Sequence, residues 1–370
     1  MLEKGFELRN KIFFVMMFML LLLAFLVMFF GYFTYRAYKN PFAKLNIHYL
    51  GGLPFEGDDE IGYVSVKNAS IVEVSEGGNY HIYSDKRRAR VSSKDYQTPS
   101  SVDIITLGCS FAYGYRVENE YTFAEKLGRG FNVSVANFAL CGYGTVQSLQ
   151  MLKRNIDLRP KVVIYAFITD HIRRQLSPVV LNNAPFCRVV SFIDFNENKK
   201  PFIHPPRFEL LDPKLFNKFE EEILYSEGFG LNDVLWRIRT DLHHLKEWRN
   251  IQYPNDPLSR KASLAYLINE MSATVNRIGA KLVIVYLPLF GKGYIEPPPE
   301  ELLTSLKDDI LFLDMSPKLT EYYKEENAPA MTIPGDYAHP GKLGHALIAQ
   351  ELEKLIEKEN LLKMAVASHK

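Results

Sequence analysis

The chain has 370 residues, 47% hydrophobic and 24% charged, and carries a formal net charge of +1. That balance excludes a global field that would recruit nucleic acid or acidic partners, and the apolar share is enough for a sizeable core. Three scattered cysteines, Cys109, Cys141 and Cys187, exclude a disulfide scaffold, and no Cys-x-x-Cys pair suggests a metal.

Residues 1–11 read as a short N-terminal tail. Residues 12–35 are uncharged and almost wholly apolar, about 24 residues, long enough to cross the ~30 Å hydrocarbon core. No small-x-small cleavage site follows them, so the run is expected to stay as a single-pass membrane anchor. Tyr32, Tyr35 and Tyr38 suit an interfacial belt. Lys4, Arg9 and Lys11 on one side balance Arg36, Lys39 and Lys44 on the other, so charge alone sets no orientation.

Residues 36–100 are polar, with Gly51-Gly52 and a basic run, Lys86-Arg87-Arg88-Ala89-Arg90, that reads as a solvated face. Tyr63-Val64-Ser65-Val66 and Ile71-Val72-Glu73-Val74 alternate as strands do, so this stretch is expected to be a linker with a small β appendage. From residue 101 to 360 the pattern predicts one α/β domain. Candidate strands are 102–107, 133–138, 161–168, 281–287 and 310–314, short and rich in β-branched residues. Helical patterns separate them at 120–128, 144–156, 258–279, 316–325 and 342–358. Strand–helix alternation predicts a three-layer α/β/α fold around a mostly parallel five-stranded sheet. A long insertion, 171–257, is expected to be helical near 213–225 and 231–249 and to shape a substrate site or buttress the core. Residues 361–370 read as a C-terminal tail.

In an open α/β sheet, ligands bind beyond the carboxyl ends of the strands. Several distinctive residues fall there. Gly108-Cys109-Ser110-Phe111-Ala112-Tyr113-Gly114 follows the first core strand, Leu140-Cys141-Gly142-Tyr143-Gly144 the second, and Thr169-Asp170-His171 the third; Asp336 and His339 precede the last helix. A serine on a strand-to-helix turn, with a distant carboxylate and imidazole, is what nucleophilic acyl transfer requires. Ser110 reads as nucleophile or, alternatively, as a helix cap. Asp336 and His339 read as its acid–base partners or as a loop before a helix. Asp170-His171-x-Arg173 reads equally as a salt-bridged turn. His345 reads as a surface or packing residue, and His243-His244 lack a partner spaced for a metal. No cofactor is implied.

These blocks, in this order, resemble the SGNH (GDSL-like) hydrolase superfamily over about residues 100–358. Gly108 to Gly114 is similar to the Gly-Asp-Ser-x-x-x-Gly block, Gly142 to the second-block glycine, and Asp336 with His339 to Asp-x-x-His. The resemblance implies an SGNH/flavodoxin-like fold and a catalytic triad of Ser110, His339 and Asp336. It also implies an oxyanion hole from the Ser110 and Gly142 amides with Thr169. Two departures stand out: Cys109 replaces the usual Asp, and Thr169 stands where the third block has Asn. The implied activity is an esterase on a small ester or on O-acyl groups of an envelope glycan. An O-acyltransferase with the same triad, and a non-catalytic envelope binding protein, are the alternatives. The anchored layout resembles members tethered to the cell membrane, which implies an extracytoplasmic domain. Cys109 and Cys141 sit in facing loops, so a bond between them is an open expectation.

Overall fold

The computed structural model describes residues 2–38, 48–75, 78–181, 187–208, 256–289, 295–323, 331–333 and 336–362. The N-terminal apolar run lies in one helix, α1 (Leu2–Tyr38), longer at both ends than the 12–35 span. Its Phe13–Tyr32 stretch of 20 residues is long and apolar enough to cross a membrane, and none of it is buried against the rest of the chain.

Next come β1 (His48–Leu50), β2 (Phe55–Asp58), β3 (Gly62–Ser65), β4 (Ser70–Ser75), β5 (Gly78–Ser84) and β6 (Arg90–Val91). The α/β part then runs through β7 (Ile104–Leu107), α2 (Ser110–Tyr113), α3 (Phe123–Phe131), β8 (Val135–Asn137), α4 (Thr145–Arg154), β9 (Val162–Phe167) and α5 (His171–Arg174). After it come β10 (Val179–Leu181), β11 (Cys187–Val189), β12 (Phe192–Phe195), β13 (Pro201–His204), α6 (Pro257–Arg277), β14 (Lys281–Tyr286) and α7 (Glu300–Leu303). The chain closes with β15 (Ile310–Asp314), α8 (Ser316–Tyr323), β16 (Thr332–Ile333), β17 (Asp336–Pro340) and α9 (Lys342–Lys358).

Among the described residues the main sheet has nine strands, in the order β1-β4-β5-β6-β8-β7-β9-β14-β15. Its β8-β7-β9-β14-β15 part is parallel, which is the flavodoxin-like order 2-1-3-4-5 of an α/β/α sandwich. The β7-to-β8 crossover runs one way across the sheet and the later ones run the other, so right-handed connections put helices on both faces. Accordingly α3 packs with α9, and α4 packs with α6. β7 and β9 are buried along their whole length, so they read as continuous apolar runs. Helix α6 starts where Asp256 caps the Ser259 N–H at 3.0 Å with Pro257 in the first turn, and buries Leu264, Leu267, Ile268, Met271 and Val275 at helical spacing. Trimming Leu267 to alanine would cost about 2–5 kcal/mol.

Two expectations are corrected. The 36–100 stretch is no separate appendage: β6 pairs antiparallel with β8 through Arg90 and Asn137, so β1, β4, β5 and β6 extend the core sheet. The 171–257 insertion is not simply helical: after α5 it forms two hairpins, β10–β11 and β12–β13. A turn at Asn196–Lys199, with Lys199 at φ 57°, joins β12 to β13 in the second hairpin. The helices expected at 213–225 and 231–249 lie outside the described residues, as does His243-His244.

Candidate active site

Ser110 opens α2 immediately after β7. The turn into it depends on Gly108, whose φ is +141° and whose Cβ, if present, would lie 2.8 Å from the Ala166 carbonyl oxygen of β9. Only glycine fits so close a backbone approach at that dihedral. Ser110 is left 8% exposed, within reach of solvent at the carboxyl edge of the sheet.

The last segment meets it there. Ser110 Oγ lies 2.8 Å from His339 Nε2, and His339 Nδ1 lies 2.6 Å from Asp336 Oδ2. Asp336 and His339 belong to strand β17, paired with β16, rather than to a loop. An Asx-type turn brings them together: Asp336 Oδ1 accepts the backbone N–H of Ala338 at 2.8 Å and of His339 at 3.3 Å. Burial by itself would raise the Asp336 carboxyl. The hydrogen bond and charge of His339 and the two backbone N–H groups outweigh burial and hold it down at about 2. An ionised Asp336 only accepts, so Nδ1 carries the imidazole proton and Nε2 is the acceptor that faces the Ser110 hydroxyl. The imidazole is fixed further by two rings of the Ser110 segment, Phe111 at 4.9 Å and Tyr115 at 5.1 Å.

The second loop hangs on the first through Phe138 N–H to Thr106 O at 2.9 Å and Leu140 N–H to Gly108 O at 3.2 Å. Gly142 takes a left-handed φ of +85°. Among the described residues, the N–H groups of Ser110 and Gly142 have no protein acceptor. They are donors held ready for another acceptor, the property an oxyanion hole needs.

No protein-family model matches the sequence, and no curated protein is similar to it. Solved structures do resemble the fold. A two-domain esterase active on acetylated mannans is 11% identical with a TM-score of 0.38; the match covers 73% of this chain and 52% of that one. A lipolytic protein of the G-D-S-L family from Desulfitobacterium hafniense is 13% identical with a TM-score of 0.34, over 68% of this chain and 98% of that one. An acetyl xylan esterase from the rumen bacterium Butyrivibrio proteoclasticus is 10% identical with a TM-score of 0.35, over 80% and 73%. At such scores these likenesses assign no activity by themselves, and the weight falls on the strand order and on where the blocks sit. The first block follows the first core strand, the second block the second, and Asp336 and His339 precede the last helix. This is the order in which the resemblance seen in the sequence expects them.

Against that SGNH pattern Thr169 departs in its contacts as well as its identity. Its hydroxyl lies 3.0 Å from the hydroxyl of Tyr286, which also reaches the carbonyls of Glu296 at 3.2 Å and Pro297 at 3.1 Å. Carbonyls only accept, so Tyr286 donates to them and Thr169 donates to Tyr286. The Thr169 hydroxyl is therefore directed away from the expected oxyanion role. Cys109, the other departure, is fully buried, and burial raises its thiol, so it is no competing nucleophile. No disulfide joins Cys109 and Cys141, against the bond entertained from the sequence.

Asp170 pairs with Arg173 at 2.9 Å and Arg174 at 2.7 Å, and Arg174 reaches the Tyr143 carbonyl at 2.9 Å. That is the structural turn, and it braces the Gly142 loop. His171 is buried against the Tyr165 hydroxyl at 2.8 Å, where burial holds it neutral. His345 is fully buried, accepts the Phe123 N–H at 3.3 Å and is pushed down to about 3 by burial and then by the charge of Arg90. Among the described residues no group of His, Cys, Asp and Glu could hold a metal.

One contributor escaped the sequence reading. Arg90, counted within a solvated basic run, is 5% exposed and donates to the carbonyls of Tyr113 at 2.6 Å, Gly114 and Val117. Of its neighbours, Lys86 is exposed and Arg87 forks onto Asp157 at the surface, whereas Arg88 is half-buried against Glu56 and the Ser65 carbonyl.

Proposed function

We propose that this chain is a membrane-anchored serine esterase of SGNH type. The observation that carries the reading is the continuous chain Ser110 Oγ–His339 Nε2–Nδ1–Asp336 Oδ2, at 2.8 and 2.6 Å. As Ser110 Oγ attacks an ester carbonyl, His339 Nε2 takes its proton, and the Asp336 carboxylate stabilises the imidazolium. The amides of Ser110 and Gly142 receive the charge that develops on the carbonyl oxygen. His339 then hands the proton to the departing alkoxide, leaving an acyl-serine and a free alcohol. Water, deprotonated by the same imidazole, attacks the acyl-serine and releases the acid and Ser110.

The substrate class is an O-acyl ester, and the resemblance to anchored family members implies an acyl group on an envelope glycan. α1 is the anchor in this reading, with the α/β domain outside the cytoplasm. The test is turnover of 4-nitrophenyl acetate by the full-length protein in detergent, alone and with added glycan acceptor. Hydrolysis that is abolished in Ser110→Ala and indifferent to acceptor supports the esterase. Acyl transfer to the acceptor in place of hydrolysis makes it an O-acyltransferase, and no Ser110-dependent turnover refutes both.

A further inference from the structure

The residues that hold the two candidate catalytic loops come from a part of the chain outside the blocks that resemble the family. Helix α2 is a single turn, and its C-terminal carbonyls have no partners within the helix. Asn137 Nδ2 donates to Ala112 O at 3.1 Å, and Arg90, on β6, serves Tyr113 and the turn that follows. Its guanidinium donates to Tyr113, Gly114 and Val117 and lies 4.6 Å over the Tyr113 ring. A planar fork with several fixed donors can hold three carbonyls in one geometry, where a single ammonium cannot. Two residues on, Arg116 Nε meets Glu73 of β4 at 2.9 Å, both side chains almost wholly buried. Breaking either half of such a pair leaves an uncompensated buried charge. Between these anchors sits Tyr115, whose ring lies on His339 and whose N–H returns to Ser110 O at 3.1 Å.

The second loop is held from the same segment. The Tyr63 hydroxyl, on β3, donates to the Cys141 carbonyl at 2.6 Å, one peptide before Gly142. The Tyr143 hydroxyl returns the contact to the Tyr63 carbonyl at 2.8 Å, with the two rings 5.3 Å apart.

We propose that β3, β4 and β6 carry a built-in positioning element of the active site, in which Arg90 and the Glu73–Arg116 pair set the nucleophile loop and Tyr63 sets the Gly142 loop. The proposal rests on the serine-esterase reading. Arg90, Glu73, Arg116 and Tyr63 touch neither nucleophile nor imidazole; they act through Tyr115, Ser110 and the Gly142 amide. An ångström of drift in a reacting group costs up to about a hundredfold in rate, so their removal should appear in kcat rather than in binding.

The experiment uses full-length protein in detergent and compares the parent with Arg90→Lys, Tyr63→Phe and Arg87→Gln. Each is read by thermal melting, by kcat and KM on 4-nitrophenyl acetate, and by the second-order rate of fluorophosphonate labelling. Arg90→Lys keeps the charge and loses the fork, so kcat and labelling should both fall about 10–100-fold with KM within about threefold. Tyr63→Phe removes one hydroxyl and should lower both rates about 3–10-fold. Arg87→Gln, at the surface beside them, should match the parent. Folded Arg90→Lys and Tyr63→Phe proteins with both rates within twofold of the parent would overturn the proposal while leaving the esterase standing. If Arg90→Lys fails to melt cooperatively, Tyr63→Phe alone decides on the same criterion. A folded parent with neither turnover nor labelling overturns the esterase reading and this one with it.

Discussion

Replacing Asp336 by asparagine changes one atom's chemistry at the hinge of the proposed mechanism. The carboxylate lies 2.6 Å from His339 Nδ1, and both side chains are 22% exposed. At about 4 Å between charge centres and an effective dielectric of about 20, its attraction for the imidazolium is about 4 kcal/mol, or roughly a thousandfold in rate. The asparagine amide adds a second penalty. If its NH₂ faces Nδ1, the imidazole proton moves to Nε2, and Ser110 then faces a donor instead of a base. Asp336→Asn should therefore lower kcat on 4-nitrophenyl acetate at neutral pH by about 10³–10⁴-fold. Stability follows from the same carboxyl. Held at about 2 against an ordinary 3.8, it is linked to about 2 kcal/mol. Because the folded value is the lower one, that stability is present above pH ~4 and is lost as pH falls through about 2. Urea unfolding should thus show the variant less stable at pH 7, with the gap closing in acid. A kcat within tenfold of the parent, in a variant that melts cooperatively, would refute the assignment of Asp336.

The other outcomes follow from single contacts. Gly108→Ala would drive a methyl to 2.8 Å from the Ala166 carbonyl at a positive φ, so melting should show a loss above about 2 kcal/mol or no folded protein. Thr169→Val should change kcat less than about threefold, because the Thr169 hydroxyl donates to Tyr286; a fall of about 10²–10³ would restore it as an oxyanion donor. Iodoacetamide should modify Cys109 only after denaturation, as read by peptide mass, since the thiol is fully buried and raised by that burial; prompt modification of the folded protein would contradict the burial.

The centre of the parallel core was legible because β7, β9 and nearly all of β14 are buried on both faces and read as apolar runs. Val162–Phe167 and Lys281–Tyr286 differ from their expected limits by at most two residues in all at either strand. The strands that extend it were not legible as part of the same sheet. β6 is two residues long and joins β8 through a single register pair, Arg90 with Asn137, a partnership set by packing at long range rather than by local pattern. The hairpins after Ser177 were hidden for a similar reason: each strand has only three or four residues. At the candidate site, Ser110, His339 and Asp336 stood out by residue type in separate segments, and the fold brings them within hydrogen-bonding reach. What sequence patterning concealed was the support. Arg90 looked like the rest of its basic run because a charge run is averaged over its members, whereas burial of one of them depends on three carbonyls more than twenty residues away.

The central claim is that Ser110 is an activated nucleophile. Full-length protein in detergent should be labelled covalently by a fluorophosphonate probe, with the adduct on Ser110 and labelling abolished in Ser110→Ala and His339→Ala. A folded parent that remains unlabelled, or labelling that survives in Ser110→Ala, would contradict it.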